Sequence, residues 1–255
     1  MQYRGFAMGL CMGQLHHVLL FENFIHDESN SDAFTIANMI AMGNVIKFPV
    51  VFYSGPGIGK THLLHAIGNE ALRRDSKLKV SLISSEWLTT QLITTVQNDN
   101  IKSDLDKIRE RHDIFMIDEL SFLKDFADKS LIQKEIYQIL KEQSAHGCSI
   151  VLASSITLDA MMDWNKELRE WLLSGKIYTI TNPSPAARKL FLKILLAKNK
   201  ITINDDLTEC FHQEVGSSFR ELEAAVLRVR AGANLYNADM TVEFARKIMR
   251  ELALR

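Results

Sequence analysis

Ser54-Gly55-Pro56-Gly57-Ile58-Gly59-Lys60-Thr61 follows the apolar run Phe48-Pro49-Val50-Val51-Phe52-Tyr53 and leads into a helical pattern from Thr61 to Arg74. The run reads as a buried strand, and a glycine-dense turn between strand and helix reads as a phosphate-binding loop. Gly55, Gly57 and Gly59 let backbone N–H groups converge on an anion without Cβ clashes, and the following helix points its positive end at the same place. Lys60 is then expected to reach the outer phosphates of a nucleotide, and the Thr61 hydroxyl to bind Mg²⁺. The consensus G-x-x-x-x-G-K-S/T has glycine where this chain has Ser54, a small substitute.

Outward from this loop, short β-branched runs recur at Val80 to Ile83, Ile114 to Ile117, Ser149 to Ala153 and Ile177 to Ile180. Each is too short for a helix and suits a strand buried on both faces. Leu131, Ile132, Ile136, Ile139 and Leu140 are read as one apolar helix face. The alternation predicts an α/β fold, a helix-covered parallel sheet. Asn182-Pro183-Ser184-Pro185 breaks the pattern, and four helices are expected beyond it, near 186–199, 205–215, 218–235 and 241–253. Ser218-Phe219-Arg220-Glu221 is a capping box, which puts Arg220 in a first turn facing out. The expected organisation is a lead-in over 1–20, a nucleotide-binding αβα domain over 21–182, and a small all-helical domain over 183–255.

The 255 residues carry 30 Lys plus Arg against 31 Asp plus Glu, which excludes a global electrostatic pull toward nucleic acid. Cys11, Cys148 and Cys210 have no metal-ligand spacing and suit free thiols in a cytoplasmic protein. Met1 to Gln14 holds an apolar run behind Arg4 but no small-x-small cleavage site, so it is not read as a secretion signal. No segment is long enough to cross a membrane.

Asp113-Ile114-Phe115-Met116-Ile117-Asp118-Glu119 reads as a strand ending in two carboxylates at the carboxyl edge of the sheet. Asp118 is expected to hold the Mg²⁺ water shell and Glu119 to polarise an attacking water. Ser154 and Ser155 end the next apolar strand, where a hydroxyl can bond the γ-phosphate or that water.

Phe21-Glu22-Asn23-Phe24 with Ser29-Asn30, the run Gly59-Lys60-Thr61-His62-Leu63-Leu64-His65-Ala66-Ile67-Gly68-Asn69, the Ile117-Asp118-Glu119 strand end and Phe219-Arg220-Glu221-Leu222-Glu223 occur in this order. In these motifs the chain resembles the bacterial chromosomal replication initiator DnaA family of AAA+ ATPases, over roughly residues 18 to 253. The resemblance implies a P-loop AAA+ five-stranded parallel sheet with a helical lid, binding ATP or ADP with Mg²⁺ between them. It implies that Phe24 to Asn30 line the adenine side, that Gly55, Gly57, Ile58, Gly59, Lys60, Thr61 and His62 surround the phosphates, and that Thr61 and Asp118 face the metal. Lys60, Asp118 and Glu119 would be catalytic, Ser154 or Ser155 the first sensor, and Arg220 the lid's γ-phosphate arginine, whose fork suits phosphate.

Three departures bear on function. No helix-turn-helix origin reader follows within the chain, so the expectation is either part of a longer initiator or a short paralogue resembling the regulator Hda. At the family's arginine-finger position the register through Leu168 and Gly175 places Trp171, with Arg169 two residues away. A lost finger would imply slow or partner-dependent ATP hydrolysis. The stretch Leu123 to Lys129 offers only Lys124 and Lys129 against Asp125 and Asp128, and Asn98 to His112 alternates charge, which argues against single-strand DNA binding. Gln14-Leu15-His16-His17-Val18-Leu19 is faintly similar to the segment with which Hda-type regulators dock on the sliding clamp, and also fits a frayed lead-in. The expected role is in replication initiation, with the initiator, sliding clamp or replicative helicase as partner and self-association open. The alternatives are a helicase loader or transposition ATPase of the DnaC and IstB type, or a non-hydrolysing interaction module.

Overall fold

The computed structural model describes residues 15–97, 102–124, 129–157, 159–202 and 204–253. The chain folds as two compact units. The first takes the described residues through Phe24, with Asp32–Ser54 and Lys60–Thr179; the second takes Ile25–Ser31, Gly55–Gly59 and residues from Ile180 onward.

The first unit contains helix α1 (Ser31–Ala41) from its second residue on, strand β1 (Val50–Tyr53), α2 (Lys60–Arg74), β2 (Val80–Ser84), α3 (Ser85–Gln97), α4 (Lys102–Arg109), β3 (Ile114–Asp118), α5 (Lys129–Ala145), β4 (Ser149–Ser154), α6 (Lys166–Leu173) and β5 (Lys176–Thr179). The strands form one sheet in the order β2-β3-β4-β1-β5, with every pairing parallel. The β-branched runs become central strands because helices cover both faces: β3 and β4 are buried along their whole length. The chain steps outward from β1 to β2 and then returns through β3 and β4, so the strand order reverses beside β1. In sheets of this kind ligands bind outside the carboxyl ends of the strands beside such a reversal.

Three expectations shift. β1 starts at Val50, because Pro49 has no N–H to donate; Phe48 is exposed, and only the Pro49 carbonyl joins the ladder, accepting from Lys176 N–H at 2.8 Å. Ile177 lies on an edge strand and is 43% exposed. On α5, Ile132, Ile136, Ile139 and Leu140 are buried while Leu131 is 68% exposed, since it sits about 100° behind Ile132 on a 3.6-residue helix.

Gly175 lets β5 approach β1. A Cβ there would stand 2.3 Å from the Pro49 carbonyl oxygen. Gly175→Ala should therefore displace the ladder and destabilise the chain by about 2 kcal/mol. Thermal unfolding checks this, and an unchanged Tm would remove the steric argument.

The second unit carries α7 (Pro185–Lys198), α8 (Asp205–Glu214), α9 (Phe219–Tyr236) and α10 (Val242–Ala253). Each of the first three starts where a side chain accepts an orphan N–H: Ser184 from Ala187, Asn204 from Asp206, and Ser218 from Glu221. Ser218 and Glu221 complete the capping box in both directions. Leu192, Leu196, Phe211, Leu222, Val226 and Val229 are fully buried against one another. Among the described residues no helix is long and apolar enough to cross a membrane.

Candidate functional site

In the first unit the site is built on the carboxyl ends of β1, β3 and β4 and the start of α2. Lys60 opens α2 and is only 5% exposed. Its ammonium donates to the Ser54 carbonyl at 2.8 Å, to Ser54 Oγ at 3.3 Å and to Ser155 Oγ at 3.0 Å. Ser54, which breaks the glycine consensus, thus helps to hold the lysine; its place in the motif was the only sequence signal. Thr61 Oγ1 donates to Asp118 Oδ2 at 2.7 Å. Burial pushes the Asp118 carboxyl above its ordinary range, as does the adjacent Glu119 charge, against the Thr61 bond and Lys60. A hydroxyl and a carboxylate at this distance are a hard oxygen donor pair that suits Mg²⁺, so these residues fit the ion the resemblance implies.

Glu119 has φ +56°, a left-handed backbone that a residue with a Cβ seldom adopts. The Ser85 hydroxyl, at the β2–α3 junction, donates to its carbonyl, and Ser155 Oγ donates to its Oε2 at 2.8 Å. Its Oε1 is buried without a partner among the described residues. Ser85 was missed by sequence reasoning because a lone serine bonding a distant backbone carbonyl leaves no spacing pattern. Of the two serines considered for the sensor position, Ser155 reaches both Lys60 and Glu119. Ser154 turns inward, donating to the Ile156 carbonyl at 2.7 Å and accepting from Ile156 N–H at 3.2 Å.

Phe24 is buried, stacked on Phe34 and met edge-on by His62. The His62 Nε2 bonds the Leu20 carbonyl at 2.8 Å; burial lowers its pKa and that bond opposes the shift. Further along α2, His65 Nδ1 accepts from His16 N–H at 3.1 Å, and Asn69 Nδ2 donates to the carbonyls of His16 and Leu19, each at 3.0 Å. Leu15 lies against Gly68, where a Cβ would come within 2.7 Å of it. Residues 15–20 therefore form a strap fastened to the helix that carries Lys60; Gln14 lies outside the described residues.

The strap should loosen in acid. Burial first, then the charges of His16 and His62, lowers the His65 pKa from 6.5 to about 4; His17 stacks on His16 from the far side. The attached form resists a proton until about pH 4, whereas a detached imidazole takes one near 6.5. Attachment is thus fully favoured above pH 6.5 and weakens as pH falls toward 4. Hydrogen exchange at residues 15–20, corrected for intrinsic rates, should rise over that window, and His65→Asn, which keeps an acceptor without titrating, should flatten the rise. A flat wild-type profile would refute it.

In the second unit, Gly57 and Gly59 have φ +78° and +118°, so glycine is required at both. Gly55 needs no such freedom: its φ is not positive, and a Cβ there would meet nothing within 4 Å. Ile58 is buried. The Gly57 carbonyl accepts from Arg220 N–H at 3.4 Å, and the Arg220 side chain is exposed in the first turn of α9. Asn30 is buried, donating to the Ile25 carbonyl at 3.0 Å and accepting from Asp27 N–H at 3.1 Å. Asp27 accepts from Ser29 N–H at 2.9 Å and from Ser184 N–H at 3.0 Å, tying the 25–31 loop to the start of α7. Burial raises the Asp27 pKa, but the Ser29 and Ser184 bonds outweigh it and leave it lowered.

Trp171 packs half-buried against the main core, and Arg169 Nε is buried without a partner among the described residues. Arg109 is paired with Glu135 and Glu142 at 3.1 and 2.8 Å. Residues 98–101 and 125–128 and the side chain of Lys129 lie outside the described residues.

Comparison with known proteins identifies the family of the fold. The family model for the bacterial DnaA ATPase domain matches residues 15–178. The chromosomal replication initiator protein DnaA of Helicobacter pylori strain J99 is 30% identical over 236 residues, covering 91% of this chain and 50% of that protein. The chain thus spans about half the length of the curated relatives it matches. Among solved structures, domain III of the Thermotoga maritima replication initiation protein DnaA superposes with TM-score 0.84 at 23% identity, covering 94% of this chain and 98% of that one. A replication initiator DnaA bound to AMPPCP and single-stranded DNA superposes with TM-score 0.73 at 21% identity, covering 88% and 69%. With the family model covering well over half of its residues, the chain belongs to the bacterial DnaA ATPase domain family.

Proposed function

We propose that this chain is a nucleotide-binding AAA+ module acting in chromosomal replication initiation. It takes ATP or ADP on Gly57 to Thr61, with Mg²⁺ held by Thr61 and Asp118. The observation that carries this reading is the convergence of Lys60, Ser155 and Glu119 through hydrogen bonds of 3.0 and 2.8 Å beside the 2.7 Å Thr61–Asp118 pair. Bound metal would neutralise phosphate charge, while Lys60 orients the outer phosphates and Glu119 accepts a proton from water. Arg220, the exposed lid arginine, reads the γ-phosphate. A related initiator solved with AMPPCP supports the nucleotide class.

Hydrolysis is slow or needs a partner, because Trp171 stands at the register of the family's arginine finger, half-buried against the core, and Arg169 is half-buried beside it. A cytoplasmic initiator or replicative helicase is favoured as partner over the sliding clamp, since Leu15 is committed to Gly68. The same Trp171 observation favours, as the second reading, a module that binds nucleotide without turning it over. Titration with fluorescent ATP and ADP analogues, then turnover with and without full-length initiator and helicase, separates the two. Absence of nucleotide binding would overturn both. The related initiator's single-stranded DNA makes anisotropy with a labelled oligonucleotide the companion measurement. Weak binding is expected, because Arg109 is already paired.

A further inference from the structure

Arg188 lies on α7 and reaches the far end of α8. Its Nη2 donates to the carbonyls of His212 at 3.2 Å, Val215 at 3.0 Å and Gly216 at 2.8 Å. These are carbonyls at and just past the α8 C-terminus, where orphan acceptors and the negative end of the helix dipole favour a cation. From the other side, the Glu221 carboxylate accepts from Ser218 N–H at 2.9 Å and Ser218 Oγ at 2.7 Å. A Cβ on Gly216 would fall 2.3 Å from Glu221 Oε1, so it would push that carboxylate off Ser218. The 215–218 turn is therefore gripped from both sides.

The next residues lead to the phosphate loop. Arg220 N–H bonds the Gly57 carbonyl at 3.4 Å, and a Cβ on Gly57 would stand 2.5 Å from Arg220 Cβ. The place of Arg220 against Gly57 is thus set by a turn that Arg188 holds. We propose that Arg188 is a positioning residue for Arg220, so that its loss weakens discrimination between ATP and ADP rather than nucleotide binding as a whole. This rests on the reading of Arg220 as the γ-phosphate arginine given above.

Kd values for ATP and ADP, with Tm, are to be measured on the 255-residue chain as wild type, Arg188→Met, Arg188→Lys, Gly216→Ala, Arg220→Ala and the Arg188→Met/Arg220→Ala double variant. Arg220→Ala should abolish the ATP preference, and Arg188→Met should cut it roughly tenfold. Lys, with three donors but no fork, should retain part of it. Gly216→Ala, which pushes the Glu221 carboxylate off Ser218 and so loosens the same turn, should lower the preference as Arg188→Met does and keeps the question answerable if that variant fails to fold. The double variant should match Arg220→Ala, because one effect acts through the other. Should Arg188→Met lower Tm but leave the preference intact, or its effect add to that of Arg220→Ala, the proposal falls while the reading of Arg220 stands. A preference unchanged in Arg220→Ala, or absent in wild type, overturns both.

Discussion

Lys60→Ala should weaken ATP affinity at least about 100-fold while leaving the fold intact. The ammonium is buried at the start of α2 and bonded to the Ser54 carbonyl and to Ser155 Oγ, so a phosphate oxygen arriving there meets a charge already desolvated and oriented. Removing one partner of a buried charge-assisted contact costs about 2–5 kcal/mol, and roughly 3 kcal/mol is a factor above 100. Arginine should not rescue it, because a planar fork cannot occupy a pocket shaped for a point charge by Ser54 and Ser155. Calorimetric titration with ATP reads the effect, and unfolding of the unliganded variant separates it from a folding defect. An affinity within threefold of wild type would remove the phosphate loop as the binding site.

Ser54 shows how far sequence legibility extends. It departs from the motif's glycine, yet its oxygens hold the lysine. The sheet was readable because strands buried on both faces must be continuously apolar, and such runs stand out at Val50, Val80, Ile114 and Ser149. The last strand was less so: β5 is an edge, its buried position is Tyr178, and the apolar Ile177 faces out. The capping box at Ser218 was visible because both partners lie within three residues. What stayed hidden were contacts made to backbone carbonyls far away in sequence. Ser85 to Glu119 spans 34 residues and Arg188 to Gly216 spans 28, and one donor per contact carries no periodicity. The choice between Ser154 and Ser155 was hidden for a related reason. Adjacent residues on a strand point to opposite sides, and only the turn after β4, where Ser154 bonds Ile156, decides which hydroxyl is free to reach Lys60.

Glu119→Gln should lower ATP turnover by roughly 10² to 10⁴-fold with ATP affinity changed only a few-fold, the range for loss of a positioned general base. The carboxylate is set for that role by its backbone. A left-handed φ on a non-glycine residue is strained by about 1–3 kcal/mol and persists only where neighbours over-determine it, here through Ser85 on the carbonyl and Ser155 on Oε2. That leaves Oε1 buried and unpartnered among the described residues, an acceptor whose desolvation is compensated when a water donates to it. Glutamine keeps the shape and can keep the Ser155 contact through its amide oxygen, but presents a donor where a base is needed, so binding survives and proton removal does not. Ser155→Ala should fall between wild type and Glu119→Gln in turnover, since it frees the carboxylate without removing it. The measurement is single-turnover hydrolysis at saturating ATP, with and without the partner that gives the highest rate. If Glu119→Gln hydrolyses ATP as fast as wild type in both conditions, Glu119 is not the base. If neither chain turns over in any condition while both bind ATP, the left-handed carboxylate belongs to a nucleotide-gated interaction module.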